Sequence, residues 1–169
     1  YGNVMGSRGS VIPFFLEKAK TGQMPITDEK MTRFNITLNQ GVDMVIWAIK
    51  NSLGKEIFVP KIPSFKVMDL AEAISPSSKK IIVGIRPGEK IHEDLITKLD
   101  SISTIDLGNY YAILPNTKNY LEDYQKLNIN FSKVEDGFSY NSEINEEFLD
   151  ISSIRNLIKE NIDKEFLPI

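Results

Sequence analysis

The sequence has no cysteine, a single histidine and a single tryptophan among its 169 residues. The lack of cysteine excludes disulfide frameworks, thiolate zinc sites, iron–sulfur clusters and thiol catalysis. No apolar run approaches the roughly 18–20 residues that a membrane-spanning helix needs. Neither sign of charge dominates, because 20 basic and 23 acidic side chains give a formal net charge of −3. This balance argues against a protein that wraps duplex nucleic acid or lies on anionic lipid.

The composition is typical of a globular protein, with 41% hydrophobic and 25% charged residues. A chain of this length can form one domain with a substantial core. It begins with Tyr1 rather than methionine, and it begins inside a glycine-rich motif. We therefore expect the C-terminal portion of a longer protein.

Apolar spacing and capping residues predict helices separated by a few short strands. The predicted helices lie at residues 11–19, 42–49, 67–74, 90–95 and 151–158, and the predicted strands at residues 56–60, 80–85 and 110–114. The first and last helices follow the capping residues Ser10 and Asp150. This mixture is typical of an appended α/β domain rather than of a complete doubly wound sheet.

The arginines carry the clearest functional signal, because only four occur among the 20 basic residues. Three of them, Arg8, Arg33 and Arg86, lie beside turn residues or in polar loops. A guanidinium holds phosphate or carboxylate in two-point geometry, and loops at strand ends are where α/β proteins bind ligands. The alternative is that they are surface arginines paired with acidic side chains.

Other candidate residues give weaker signals. The glycines of the segment 2–9 do not have the dinucleotide-binding spacing, so the segment is either an anion-binding turn or a tight connection. His92, beside Glu93, is either an acid–base group or a solvated or packing side chain. The aromatics Phe14, Phe15, Phe34 and Trp47 are expected in the core.

No tyrosine has a lysine four residues later, so the Tyr/Lys pair of short-chain dehydrogenase-like enzymes is absent from this sequence. We therefore predict no catalytic residue in this chain, and the sequence predicts no metal site. Nothing here could hold a nicotinamide cofactor alone.

Four segments, taken in order, resemble a known family. They are YGNVMGSRGSVIPFF, PITDEKMTRF, EIFVPKIPS and GIRPGEKIHE. Together they resemble the C-terminal half of the inverting UDP-N-acetylglucosamine 4,6-dehydratases, which are extended short-chain dehydrogenase/reductase enzymes. The tail, GFSYNSEINEEFLD, is similar as well, so that the likeness covers essentially the whole chain.

The resemblance implies a mixed α/β fold, the substrate-binding portion of a Rossmann-type enzyme whose N-terminal half is absent. Residues 1–10 would end the Rossmann sheet, residues 11–115 would bind the sugar nucleotide, and residues 116–169 would form a C-terminal extension. The intact enzyme would be a cytoplasmic homo-oligomer that dehydrates UDP-N-acetylglucosamine for bacterial surface polysaccharide or flagellin glycosylation. NADP would be held mainly by the other half.

The resemblance also assigns residues to these ligands. Tyr1, Gly2 and Asn3 would lie near the cofactor, with Asn3 also reaching the sugar diphosphate. The remaining substrate-binding residues would be Arg8 in the cleft loop, Val11 at the uracil, Arg33 and Arg86 on the diphosphate, and Glu89 on the ribose. Asn35 departs from the family, which usually has an aromatic residue there.

Two alternatives stay open at this point. The chain could be a UDP-sugar-binding module without catalysis of its own. It could instead belong to a related enzyme, such as a nucleotide-sugar 4-epimerase or a retaining dehydratase.

Overall fold

The computed structural model describes residues 2–115 and 119–169. Within these residues the helices are α1 Val11–Ala19, α2 Leu38–Asn51, α3 Val67–Ile74, α4 Tyr120–Lys126 and α5 Ile151–Asn161, with a 3-10 helix at Asp100–Ser103. The longest of them, α2, has 14 residues, and no helix of the described part is long and apolar enough to cross a membrane.

The strands are short. In the described residues they are β1 Gln23–Ile26, β2 Thr32–Phe34, β3 Ile57–Pro60, β4 Ser64–Lys66, β5 Lys79–Ile82, β6 Asp94–Ile96, β7 Thr104–Asp106, β8 Tyr110–Ile113, β9 Ser132–Lys133 and β10 Tyr140–Asn141. The strands β1 and β5 pair in parallel, whereas β2 pairs with β4 and β6 with β10 in antiparallel fashion. A four-stranded antiparallel sheet has the order β3-β8-β7-β9. This mixed α and β architecture confirms the predicted fold class.

The described residues form two compact units. The larger unit comprises residues 2–38, 62–93 and 142–169, and the smaller unit comprises residues 39–61 and 94–141. Both units are discontinuous in sequence, and residues 142–169 fold with residues 2–38. The functional labels predicted for residues 1–10, 11–115 and 116–169 stay predictions.

The larger unit is organised around an apolar core that three helices and β1 share. The buried side chains include Ile12 and Phe15 of α1, Leu70 and Ile74 of α3, and Ile158 of α5. These residues recur at intervals of three or four along their helices, so that each helix turns one apolar face inward. The helix α5 begins where the Asp150 carboxylate accepts a hydrogen bond from the Ser153 amide at 2.7 Å.

The smaller unit has its own apolar cluster on the four-stranded sheet. Ile105 of β7 and Ala112 of β8 pack with Tyr120 and Tyr124 of α4. The two tyrosines lie four residues apart on one face of α4 and are fully buried.

Several predicted elements are confirmed and others are wrong. Helices α1, α2, α3 and α5 and strands β3 and β8 lie where the apolar pattern predicts them, and the strand predicted at residues 80–85 is the shorter β5. The helix predicted at residues 90–95 is wrong, because this segment turns and then enters β6. Helix α4 and the strands β1, β2, β4, β6, β7, β9 and β10 were not predicted.

Phe14 is also a wrong prediction, because its ring is exposed, whereas Phe15 and Phe34 are buried as expected. Trp47 is half-buried.

Candidate functional site

The larger unit contains a cavity of about 550 Å³ at the start of helix α1. The first turns of α1 and the segment 3–5 line it, together with residues of β1 and β2 and the turn after β5. A cavity of this volume matches the range of about 300–1,000 Å³ that is usual for small-ligand sites.

Five of the residues predicted to bind ligands line this cavity together. They are Asn3, Val11, Arg33, Arg86 and Glu89. Pro25 of β1 lines it as well. The fold therefore joins residues that are separated by more than 80 positions in the sequence.

Of the other predicted residues, Arg8 and Gly2 do not line the cavity. Arg8 is exposed and is not among the residues that line the cavity. Gly2 packs against the protein, since a Cβ added there would meet Phe34 at 3.5 Å and Ile62 at 3.8 Å. Tyr1 lies outside the described residues.

Arg33 extends from β2, and backbone carbonyl groups hold its guanidinium. Its Nη1 atom donates to the carbonyl oxygens of Thr32 at 2.7 Å and Ile91 at 2.9 Å. Its Nη2 atom donates to the carbonyl oxygen of Lys90 at 2.9 Å. Because Lys90 and Ile91 lie far along the chain, Arg33 fixes the segment after β5 against β2. These tertiary bonds also explain why residues 90–93 do not form the predicted helix.

Two carboxylates complete the surroundings of Arg33. Glu93 Oε1 lies 3.6 Å from Nε, and Glu89 Oε1 lies 3.8 Å from Nη2. Glu93 also accepts hydrogen bonds from the Asn3 side-chain amide and, at 2.9 Å, from the Phe34 backbone amide. Glu93 thus joins Asn3, Arg33 and the backbone of Phe34. In the sequence, the only signal for Glu93 was its position next to the single histidine.

Arg86 has the opposite environment. Its backbone amide donates to Glu89 Oε2 at 3.3 Å, and the Glu89 amide donates back to the Arg86 carbonyl oxygen at 3.0 Å. Gly88 completes this turn at a φ of +83°, a conformation that favours glycine. The Arg86 side chain is exposed, and its guanidinium forms no hydrogen bond or ion pair with the described residues. It is the arginine of the site that is available to an anion.

The first turn of α1 contributes polar groups of its own. The Ser10 hydroxyl is buried and has no hydrogen-bond partner among the described residues. Helix N-termini favour anions through their free backbone amides and dipole. The arrangement therefore combines an unpaired cation, an unpaired hydroxyl and a helix start at one cavity.

His92 bonds to neighbouring segments rather than to an acid–base partner in the cavity. Its Nδ1 atom lies 2.8 Å from the Thr32 hydroxyl, which lies 2.7 Å from the Ser142 hydroxyl. Its Nε2 atom lies 3.5 Å from a carboxylate oxygen of Glu143. These contacts favour the packing interpretation of the histidine. In the part of the chain that the structure describes, no group of three or more His, Asp or Glu side chains could hold a metal ion.

Asn35, the departure from the family pattern, is buried beside the cavity. Its side-chain amide lies 3.9 Å from the sulfur of Met5. A small polar side chain leaves more room here than an aromatic ring would.

Comparisons with known proteins give a consistent result. A model of the polysaccharide biosynthesis protein family matches residues 1–115. An inverting UDP-N-acetylglucosamine 4,6-dehydratase of Campylobacter jejuni serotype O:2 is 48% identical over 152 residues, which are 86% of this chain and 45% of that protein. A protein of the same description from C. jejuni serotype O:23/36 is 44% identical over 165 residues, 94% of this chain and 49% of that protein. These matches confirm the resemblance read from the motifs.

Two further similarities extend the range of relatives. A UDP-glucose 4-epimerase of Rickettsia akari is 43% identical over 118 residues, which are 67% of this chain and 35% of that protein. The crystal structure of Pen from Bacillus thuringiensis superposes with a TM-score of 0.80 at 32% identity, covering 99% of this chain and 49% of that chain. The chain spans about half the length of the curated dehydratases that it matches.

Proposed function

Since this chain belongs to the polysaccharide biosynthesis protein family, we propose that it is the substrate-binding portion of a UDP-N-acetylglucosamine 4,6-dehydratase of the inverting type. The observation that carries this proposal is the cavity in which Asn3, Arg33, Arg86 and Glu89 meet. The cavity supports recognition of a nucleotide sugar because its arginines suit a diphosphate. Its asparagine and glutamate side chains suit the hydroxyl groups of the sugar and the ribose.

Arg86 is the residue that we assign to the diphosphate. Its guanidinium is exposed and unpaired within the described residues, so no existing ion pair has to break when an anion binds. Charge-assisted hydrogen bonds between arginine and phosphate oxygens are among the stronger polar contacts. Glu89, three residues later in the same turn, would accept hydrogen bonds from the ribose hydroxyls.

Arg33 has a different role in this proposal. Three carbonyl oxygens and two carboxylates already surround its guanidinium. We assign it as a positioning residue that holds the turn carrying Arg86 and Glu89 at the cavity. A direct contact with the diphosphate, as the resemblance implies, would have to compete with these bonds.

The residues of this chain do not by themselves fit a nicotinamide cofactor. The Asn3 side chain is bonded to Glu93, and Gly2 packs on Phe34 and Ile62. The chain also has no dinucleotide-binding glycine motif and no Tyr/Lys pair. In the enzyme that contains this portion, we place NADP and the catalytic pair in the other half.

The activity proposed for the complete enzyme is loss of water across C5 and C6 of the hexose, with inversion at C5. Its product would serve bacterial surface glycosylation. This chain would orient the sugar nucleotide and contribute binding free energy. A homo-oligomeric state and a cytoplasmic location complete the proposal.

A related 4-epimerase is the second candidate, favoured by the 43% identity to the Rickettsia akari protein. The two dehydratases are 48% and 44% identical over 86% and 94% of this chain, whereas this epimerase is 43% identical over 67% and an epimerase of Rickettsia bellii is 35% identical over 94%, so we rank the dehydratase first. The product made by the complete enzyme separates the two, because only the dehydratase removes the C6 hydroxyl.

The test of substrate binding is a titration of this chain with UDP, followed by amide chemical shifts in NMR spectra. We expect shifts at residues of the cavity, and we expect Arg86→Ala to weaken binding by about ten- to one-hundredfold, as for a lost charge-assisted contact. Arg8→Ala is the matched control, because Arg8 is equally exposed but does not line the cavity. Absence of shifts at millimolar UDP, or equal losses in the two variants, would contradict the assignment.

A further inference from the structure

Asn35 is a buried polar residue that lines the cavity at the start of α1. It directly follows β2, and only 4% of the residue is exposed. Buried side-chain amides in proteins nearly always have hydrogen-bond partners, because burying an unpaired amide is unfavourable. The partners of Asn35 therefore show whether its amide serves the fold or a ligand.

The protein supplies this side-chain amide with one weak partner. Its Nδ2 atom lies 3.9 Å from the sulfur of Met5, and a thioether sulfur is a weak acceptor. The Asn35 side chain forms no other hydrogen bond with the described residues. Its carbonyl oxygen and one of its N–H groups are thus available at the wall of the cavity.

The backbone around Asn35 is held on two sides. The Asn35 amide donates to the Pro63 carbonyl oxygen at 2.9 Å. The next residue, Ile36, donates to the Asn3 carbonyl oxygen at 3.4 Å and accepts from the Met5 amide at 2.8 Å. A side chain that a fixed backbone presents to a cavity loses little freedom when a ligand binds, which favours affinity.

A second buried polar group of the same cavity has no partner among the described residues either. The Ser10 hydroxyl lies at the start of α1, where a serine usually accepts a hydrogen bond from an amide of the first turn. This hydroxyl makes no such bond and is buried. Two polar side chains that lack good partners within the protein indicate that a ligand completes their hydrogen bonds.

The group that suits Asn35 is uncharged. A side-chain amide has no charge and offers an acceptor beside its donors, so it pairs well with a group that both donates and accepts. In a nucleotide sugar, such groups are the imide edge of uracil, the ribose hydroxyls, and the hydroxyl and acetamido groups of the hexose. Ionised phosphate oxygens only accept, and they suit the unpaired guanidinium of Arg86 better.

We propose that Asn35 hydrogen-bonds an uncharged donor–acceptor group of the ligand, on its nucleoside or on its hexose, and so determines which ligands the cavity accepts. The inference rests on the proposed function, because it takes the ligand to be a nucleotide sugar. A site with a buried polar side chain discriminates against ligands that leave this side chain unpaired.

The test is a calorimetric titration of wild type and Asn35→Leu with UDP-N-acetylglucosamine, UDP and inorganic pyrophosphate. Leucine is close to asparagine in size but forms no side-chain hydrogen bond. We expect Asn35→Leu to bind UDP-N-acetylglucosamine about tenfold more weakly and pyrophosphate as well as wild type does. Asn145→Leu is the matched control, because Asn145 lies in the same unit but not at the cavity, and it should bind all three like wild type.

The UDP titration identifies the part of the ligand that Asn35 contacts. A similar loss of affinity for UDP would assign the nucleoside, whereas a loss confined to UDP-N-acetylglucosamine would assign the hexose. Unchanged affinity for both, or an equal loss for pyrophosphate, would overturn the inference.

Arg86→Ala, titrated in parallel, separates this inference from the proposed function. If Arg86→Ala binds UDP-N-acetylglucosamine more weakly and Asn35→Leu does not, the inference alone fails. If wild type binds none of the three compounds, the proposed function and the inference both fail.

Thermal unfolding gives a second readout, without any added compound. Asn35→Leu should keep or raise the thermal midpoint, since it removes a buried amide that has no strong partner. Asn145→Leu should lower the midpoint by about 2 °C or more, because its amide donates to Ile62, Ser64 and Glu147. Equal decreases in the two variants would show that the Asn35 amide serves the fold and would contradict the inference. If Asn35→Leu does not fold, Asn35→Ala, which only enlarges the cavity, replaces it in both measurements.

Discussion

Helices α3 and α2 have similar amphipathic patterns but very different environments. In α3, the aliphatic residues Leu70 and Ile74 are fully buried in the core of the larger unit. In α2, Val45 and Ile46 are nearly half exposed although they lie on an equally regular apolar face. Helical periodicity thus reveals that a helix has an apolar face, whereas only the tertiary structure reveals whether that face is covered.

The two helices also contribute differently to the stability of the protein. The contacts of α3 stabilise the larger unit, which carries the cavity. The apolar face of α2 that carries Val45, Ile46 and Ile49 contributes little to the smaller unit, because these side chains are at least 45% exposed. Three measurements on the isolated chain can sharpen or break this distinction.

The largest expected effect is that of Ile74→Ala. Removing a fully buried isoleucine side chain leaves a cavity in the core, and the free energy of unfolding should fall by about 2–5 kcal/mol. The matched change Ile46→Ala in α2 should alter it by less than about 0.5 kcal/mol, because the side chain is half exposed and alanine favours helix. Urea denaturation of both variants measures the two values. Similar losses in the two helices would show that the exposed apolar face of α2 is part of the folded core.

An intermediate effect is expected for Tyr124→Phe in the smaller unit. The Tyr124 hydroxyl donates to Glu56 Oε1 at 3.0 Å and so links α4 to the residue before β3. Losing this bond should lower the free energy of unfolding by about 1 kcal/mol, since Glu56 keeps its other hydrogen-bond donors. Tyr110→Phe is the control, because the Tyr110 hydroxyl forms no hydrogen bond with the described residues. Equal stability of wild type and Tyr124→Phe would show that this hydrogen bond does not stabilise the smaller unit.

The smallest effect concerns acid stability. Partial burial raises the pKa of Glu56, but hydrogen bonds from its own backbone amide, the backbone amide of Leu53 and the hydroxyls of Tyr124 and Ser52 together outweigh it, so the pKa lies below its usual value of 4.5. A carboxyl whose pKa is lower in the folded than in the unfolded state stabilises the fold above the unfolded value. That contribution disappears as the pH falls through the folded value.

Glu56→Gln should therefore be less stable than wild type at pH 7, and the difference should shrink as the pH falls below 4.5. Denaturation curves at pH 7 and at pH 3 measure it. Glu122→Gln, which neutralises an exposed acid of α4, is the control for the loss of one charge. A difference that is constant with pH would mean that Glu56 acts through packing alone.

The elements predicted from sequence are those whose signals are local. Helix α5 combines a capping aspartate at Asp150 with a regular apolar face, and β8 is a compact apolar run. Helix α4 was missed because it is only 7 residues long and its buried face consists of two tyrosines. The 90–95 segment was misassigned because the bonds from Arg33 that hold it come from 57 and 58 positions away.

The site was predictable to a similar degree. Scarce arginines in loops pointed to Arg33 and Arg86, and the fold places both at one cavity. The same signal also selected Arg8, which does not line it. Sequence could not distinguish the engaged guanidinium of Arg33 from the free one of Arg86, because that difference depends on which carbonyl groups the fold brings to β2.

The turn at residues 86–89 has a consequence for the entropy of ligand binding. Its two internal hydrogen bonds, together with the bonds of Arg33 to the following residues, order this backbone through contacts within the protein itself. Ordering a flexible loop on binding would cost about 1–2 kcal/mol for each backbone residue, whereas immobilising one arginine side chain costs about 2 kcal/mol in total. A ligand that meets Arg86 here therefore needs to freeze a single side chain, and most of its contact energy can appear as affinity.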